Sequence, residues 1–530
     1  MRRSWLGLLF LLTACPSETK PPDVAKPDTG PKTLTIFATG DVGSDTDVCG
    51  CKARQMGGVA RRAQVIKTQA EGAAVVVDAG DLFFRNWTVA PRYEAQARAT
   101  AQLHADLLKH FDAPAMAVGE RDLALGLPTL RSLGERAGVK LLSANLRHTE
   151  SGTAAFDAFT IAERGGVKIG FVGASPELPP KAQAHLVYQR AGLRAEPALA
   201  HVEAAARQAK KDGAQIVVAL LHLTFANAQQ ILDTLEPGVV DFAVIAHDRS
   251  SRRLQLAREG RSAFLMPGDR GKWVAKVRLE VVPGATRVAD MGAVQMQAEQ
   301  IDKIAERIAA YAQEEAPKDP KAAAERAATV KRLEARKTAL EKDLATVKTA
   351  KRHRLTGELV ALDRDLPQDE QVLAIYRRYQ DHLGVVNHAE LTARADMTYV
   401  GNASCAKCHA EAFSHWKKTG HAKAWATMKR TRQTSNLDCV PCHVTGFDRP
   451  GGPRRLAELG TFVDVGCESC HGPGSAHAKD PKVKVAYPRE VPERVCAECH
   501  RAQEDQKPFV YEDRLPKIVG RGHGAPAKGG

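Results

Sequence analysis

The stretch AAVVVDAGD, residues 73–81, is a β-rich apolar run that closes on Gly80 and Asp81. A short run of branched apolar residues bounded by glycine reads as a buried strand. Similar runs occur at LTIFA (34–38), AMAVG (115–119), KLLSAN (140–145), KIGFVGAS (168–175), QIVVALLHLT (215–224) and DFAVIAH (241–247). Helical stretches separate several of them, among them Tyr93 to Phe111 and Glu196 to Lys211. The alternation predicts an α/β domain over residues 33–290. Asp41, Asp81, Glu120, His222 and His247 fall just past strand ends. In α/β folds that is where sites form, so these five are the candidate site of the domain.

The chain has 530 residues, 44% of them hydrophobic, and a net charge of +14. At about 150 residues per domain, this length suggests two to four domains. A basic balance fits nucleic acid, an anionic membrane surface, or a soluble protein whose charge is offset by an acidic cofactor. The cysteines favour the last of these, and no nucleic-acid partner is expected.

The chain begins MRRSWLGLLFLLTACPSE. Arg2 and Arg3 precede the apolar run from Trp5 to Leu12, which is too short to span a bilayer. The run ends in Leu12-Thr13-Ala14-Cys15, which resembles a bacterial lipobox. The resemblance implies a signal peptide over residues 1–14 and lipidation of Cys15. The alternative is an ordinary signal peptide cut near Ala14. Acyl chains hold a protein by about 0.8 kcal/mol per buried CH₂, so several chains anchor it firmly. Residues 15–32 are rich in Pro, Lys, Thr and Asp and read as a flexible tether. The expected location is the cell envelope, as a lipoprotein facing the periplasm or the surface, on the inner or the outer membrane.

Residues 291–395 read as a helical linker. Val330, Leu333, Leu340, Leu344 and Val347 follow a 3,4-type spacing that Lys337 interrupts. That spacing predicts a helical hairpin or a short coiled coil, with a homodimer seam as one use for it. From Tyr399 onward the composition shifts to Cys, His, Gly and Pro. Residues 396–530 therefore need a source of stability other than an apolar core.

Four motifs supply one: CAKCH (405–409), CVPCH (439–443), CESCH (467–471) and CAECH (496–500). C-x-x-C-H is the attachment sequence of haem c, because two thiols on one turn reach both vinyl groups of a porphyrin. The thiols are Cys405 and Cys408, Cys439 and Cys442, Cys467 and Cys470, and Cys496 and Cys499. The His that follows each pair faces the iron, giving His409, His443, His471 and His500 as proximal ligands. A zinc ribbon does not account for a His after every second Cys. The candidate distal ligands are His421, His477, His523 and His415. Two imidazoles on one iron make a closed electron carrier, whereas an open position permits small-molecule chemistry. Four haem c groups and redox partners, a donor and an acceptor, are expected.

YVGNASCAKCH, then Trp416 and His421, CVPCHVTG, VGCESCHGPGSAH and CAECH together resemble the tetrahaem cytochrome c-554 family over residues 399–524. The resemblance implies a small, mainly α, haem-rich domain whose haems stack and pass electrons along a wire.

The blocks of residues 33–290 resemble the calcineurin-like metallophosphoesterases, above all the 5′-nucleotidase and UDP-sugar hydrolase group. That family's pattern is D-x-H, G-D, G-N-H-[DE], a lone H and G-H-x-H. Here the blocks read Asp41-Val42-Gly43, Gly80-Asp81, Gly119-Glu120-Arg121-Asp122, His222 in LLHLT, and Ala246-His247-Asp248-Arg249. The resemblance implies an α/β two-sheet sandwich with two metals that clamp a phosphate and activate water. One metal position would draw on Asp41, Gly43, Asp81 and Arg249, and has lost two of four ligands. The other, Asp81, Glu120, His222 and His247, suits one divalent ion. Arg121 and Arg249 carry charge and bind phosphate or carboxylate bidentately, but do not activate water as a metal does. An altered or lost hydrolase activity is expected. The alternatives are an exported metal-dependent phosphohydrolase with an appended cytochrome, and a haem-linked redox enzyme.

Cys49 and Cys51, in DVCGCK (47–52), belong to no haem motif. They read either as a disulfide in an oxidising compartment or as a redox-active pair or thiolate ligand beside Lys52 and Arg54.

Overall fold

The computed structural model describes residues 30–49, 55–182, 184–248, 252–255, 262–315, 317–387, 398–500, 509–520 and 523. Cys15 with its leader, Cys51 and Arg249 lie outside the described residues, and Cys49 is described by its backbone alone.

Two large sheets form the core of the N-terminal module. The first has seven strands in the order Val288–Asp290, His353–Ala361, Trp273–Val281, Lys32–Thr39, Ala73–Asp78, Ala115–Ala117 and Lys140–Leu142. The second has six, in the order Arg252–Gln255, Ala263–Pro267, Phe242–Ala246, Ile216–His222, Val167–Ala174 and Phe159–Arg164. The period-2 alternation of strand side chains decides which core each residue joins. Leu34, Ile36 and Ala38 meet Ile216, Val218 and Leu220 between the sheets. Phe37, one residue out of step, packs instead with Val65 and Leu108 of the helices outside the first sheet. Helix Ala198–Lys211 lays Val202, Ala206 and Ala209 on the outer face of the second sheet. The result is the expected two-sheet sandwich with helices on both outer faces.

Residues 291–395 correct the sequence reading. Helices Met291–Gln313 and Pro320–Thr349 do pair as a hairpin, with Gln297 Nε2 donating to Leu340 O at 3.0 Å. The stripe Val330, Leu333, Leu340, Leu344 and Val347 is partly or fully buried within this chain. The next segment is not linker. Strand His353–Ala361 runs antiparallel to Trp273–Val281, from Trp273 opposite Ala361 to Glu280 opposite Arg354. The α/β module therefore extends beyond residue 290, and the hairpin is an excursion between two of its strands. The alternation in HRLTGELVA buries His353 and Leu355 while Arg354 and Thr356 stay exposed. That short pattern is masked in the sequence by the long charged helix before it. Helix Glu370–Asn387 then packs Val372, Tyr376, Tyr379 and Leu383 against helices Val59–Gln69 and Glu94–His110.

The C-terminal region is built of short helices around Met428, Leu437, Val440, Val444, Phe447, Leu456 and Leu459. It is joined to the α/β module by buried polar contacts. Gln96 Nε2 donates to Asn436 Oδ1 at 2.9 Å, and Gln96 Oε1 accepts from Leu437 N at 2.8 Å. Gln433 Nε2 donates to Tyr376 OH at 2.7 Å and to Asp47 Oδ2 at 3.1 Å.

Candidate functional site

The α/β site sits at the carboxyl ends of neighbouring parallel strands. Asp41, Asp81 and His247 all have positive φ, at 51°, 57° and 103°. Such conformations cost non-glycine residues of order 1–3 kcal/mol and cluster at sites. Gly80, with φ at 101°, lets the loop approach His222; a Cβ there would lie 2.7 Å from His222 Nδ1. Asp122 ties the loops together. Its carboxyl accepts from Asp81 N at 2.8 Å, Phe83 N at 3.0 Å and Gly119 N at 3.0 Å. Burial and then the neighbouring Asp81 push Asp122 up to about 8.

His222 is fully buried, with Nδ1 2.9 Å from Ala79 O and Nε2 3.1 Å from Glu120 Oε2 and 3.5 Å from Asp81 Oδ2. Burial opposes its protonation, but Asp81 and Glu120 outweigh that and raise its pKa well above the ordinary value. His247 Nδ1 stands 3.4 Å from the same Glu120 oxygen. Burial likewise opposes ionisation of Glu120, yet the hydrogen bond with His222 and the nearby His247 hold its carboxyl well below the usual range. Trp87 Nε1 donates to Glu120 Oε1 at 3.2 Å.

Arg121 fills the space among the three carboxylates. Its Nη1 contacts Asp81 Oδ2 and lies 3.7 Å from Asp41 Oδ1, while Nη2 lies 3.6 Å from Glu120 Oε1. The fit of a metal therefore differs between the two positions. Glu120, His222 and His247 place ligand atoms within 4.8 Å of one another, a nitrogen and oxygen donor set that suits a divalent ion. Asp41, Asp81 and His222 do so too, but they share His222 with the first group and already hold the guanidinium. These residues fit one ion, not two.

Beside this site, Asp45 accepts from Arg85 Nη2 at 2.5 Å and from Arg270 Nε at 2.6 Å. Burial works against ionisation of Asp45, but the two arginines outweigh it and keep its pKa low. His104 packs nearby, 1% exposed. Burial first, and then Arg62, depress its pKa to about 3. The unfolded chain, with an ordinary His pKa of about 6.5, then binds an extra proton between pH 6.5 and 3. Stability contributed by neutral His104 is full above that window and falls as the pH drops through it. His104→Gln should flatten the urea midpoint between pH 7 and pH 5 relative to wild type. An unchanged slope would show that other groups set the acid lability.

The haem motifs converge on one cavity of about 3410 Å³. A small-molecule pocket holds about 300–1,000 Å³, so this space is several times larger. Its walls carry all eight motif cysteines, His409, His443, His471 and His500, and also His421, His477 and His523. Cys405 lies beside Cys467, and Cys499 beside Cys442, so the motifs nest in pairs. A metal–imidazole bond is about 2 Å and the ring centre lies about 1 Å beyond it, so two rings sharing one metal sit roughly 6 Å apart. His409 and His477 have centroids 6.2 Å apart at 28°, and His421 and His500 are 6.0 Å apart at 36°. His523 lies 6.1 Å from His415 at 74°, and it also feels the charge of His471. His471 Nδ1 is 2.5 Å from Tyr487 O and His443 Nδ1 is 3.1 Å from Ala424 O. Such partners on the second nitrogen fix ring orientation. The donor set and the space fit haem c at all four motifs.

Residues 404–472 match the family Cytochrome c554 and c-prime. Cytochrome c-554 from Nitrosomonas europaea is 31% identical over 154 residues, 26% of this chain, and the chain spans 63% of that protein's length. Over the N-terminal region the chain is similar in structure to solved phosphoesterases. The 5′-nucleotidase precursor from Thermus thermophilus is 14% identical with a TM-score of 0.44, over 75% of this chain and 68% of that one. The calcineurin-like phosphoesterase YfkN from Bacillus subtilis is 15% identical with a TM-score of 0.42, over 67% and 99%.

In the cytochrome c554-like region, sequence reasoning missed Glu468. It is the second residue of CESCH, a position the motif leaves free. Glu468 is 4% exposed and accepts from Val400 N at 3.0 Å, Gly401 N at 2.7 Å and Gly474 N at 2.8 Å. One carboxylate thus ties the chain entering the first motif to the chain leaving the third. The cavity also reaches the α/β module, where Asp41, Gly43, Asp45, Arg85 and Arg270 form part of its wall.

Proposed function

We propose that this chain is an exported, lipid-anchored electron-transfer protein with four haem c groups. In this reading its α/β module binds a ligand or docks a partner and does not act as a two-metal hydrolase. The observation that carries it is the convergence of four CxxCH motifs on one cavity, with His409–His477 and His421–His500 at the separation that one metal between two imidazoles requires. Bound haem supplies one-electron transfer. The chain's own residues hold the imidazoles in place: Val483 O lies 2.7 Å from His477 Nδ1, and Tyr487 O orients His471. Cys15 carries the anchor, and Cys15→Ser should move the protein from the membrane fraction to the soluble one.

Replacing His421 or His477 by Ala should each convert one haem from low to high spin and let it bind carbon monoxide. Unchanged spectra in both variants would remove the two distal assignments. For the α/β module, wild type with Mn²⁺ or Zn²⁺ should release no phosphate from nucleotides. Metal-dependent release that Asp81→Ala abolishes would overturn that half of the proposal.

The shared cavity favours a second reading, haem-linked redox chemistry on a small ligand held at the α/β rim. Asp45, Arg85 and Arg270 line the same space as Cys439, Cys442 and His443. Phosphate or a small carboxylate would then shift the haem spectrum, and Arg85→Ala would remove the shift.

A further inference from the structure

We infer that Arg121 is the resident cation of the α/β site, so that the site takes at most one divalent ion, on Glu120, His222 and His247. This deepens the proposed role of the module as a binding domain rather than a two-metal hydrolase. The geometry is specific. Arg121 engages both oxygens of Asp81, its backbone N donating to Oδ1 at 2.8 Å and its Nη1 contacting Oδ2. Asp81 is the carboxylate that would have to bridge two metals, and its Oδ2 already holds the guanidinium.

The guanidinium is held from its other side as well. It lies over the ring of Trp87, 5.6 Å from the centroid, and the indole N–H of Trp87 is anchored on Glu120. Arg121 is 8% exposed, so the charge is lodged among the carboxylates and not reaching out from the surface. Asp41 Oδ1 is buried without a hydrogen-bond partner and faces this charge at 3.7 Å. A guanidinium stays protonated at every physiological pH and cannot be removed by a chelator. It therefore supplies fixed positive charge where a metal would have supplied charge and a nucleophilic water.

The test is the metal content of the full-length holoprotein after equilibration with Zn²⁺ or Mn²⁺, with haem iron counted separately. Wild type should hold no more than one added ion per chain. Arg121→Ala and Arg121→His should each hold one more than wild type, and Arg121→Lys, which keeps a cation in place, should match wild type. The haem spectrum and thermal unfolding report whether each variant is folded; if the Ala variant is not, the His and Lys variants decide. Two added ions on wild type would overturn the inference. So would folded His and Ala variants that bind no more than wild type, or a Lys variant that gains an ion as they do. Two added ions alongside four haems would sink this inference and leave the electron-transfer reading standing. Fewer haems would do the reverse.

Discussion

Produced without attached haem, the chain should lose the order of residues 398–500 and 509–520 while the α/β module stays folded. Seven buried apolar side chains, from Met428 to Leu459, form the apolar cluster of the C-terminal region among the described residues, with Trp425 and Val463 partly buried against it. Around them lies the cavity of about 3410 Å³. Interiors are close-packed, and an empty space of that size forfeits the contacts that offset chain entropy. Attachment of the group and folding are therefore one event here, as in small metal-dependent domains. The α/β module does not depend on it. Its cores between the sheets and under the helices are continuous and fully buried, from Leu34 and Ile36 to Phe171 and Leu220. Limited proteolysis of haem-free protein should cut after about residue 398 and spare the segment before residue 387. Equal resistance in both parts would show that the C-terminal region is stable without haem.

Glu468→Ala should be the most damaging single substitution outside the haem ligands. It strands the backbone N–H groups of Val400, Gly401 and Gly474 in a buried setting. Hydrogen bonds to a charged group contribute about 1.5–3 kcal/mol each, so the loss is on the order of 3–6 kcal/mol after partial entry of water. Glu468→Gln keeps one acceptor oxygen and should fall between wild type and Ala. Thermal unfolding of the holoprotein, followed through the haem absorbance, reads the difference. An Ala variant as stable as wild type would mean that these donors find other partners.

Much of the fold was legible because its strands announce themselves. LTIFA, AAVVVDAGD and QIVVALLHLT fall on strands Lys32–Thr39, Ala73–Asp78 and Ile216–His222, since strands packed between layers must be apolar on both faces. His353–Ala361 lies at the border of that logic. It pairs next to the outermost strand of its sheet and alternates, so charged residues hide it. The α/β ligands were legible as residues past strand ends, and the structure gathers Asp41, Asp81, Glu120, His222 and His247 into two groups that share His222. That Arg121 would turn inward was not legible, because an arginine after a glutamate is equally at home in solvent. Glu468 and Asp122 act through backbone N–H groups brought in from distant loops, and no local pattern records such a bond. The histidine pairs were visible as residues but not as pairs, since His421 and His500 meet only through the tertiary fold.

The central claim is most directly tested by counting haem and other metals on the purified protein, by intact mass together with elemental analysis. The account predicts four covalently attached haems per chain, one iron for each, and no more than one further divalent ion. Fewer than four haems, or zinc in place of iron at the CxxCH motifs, would contradict it.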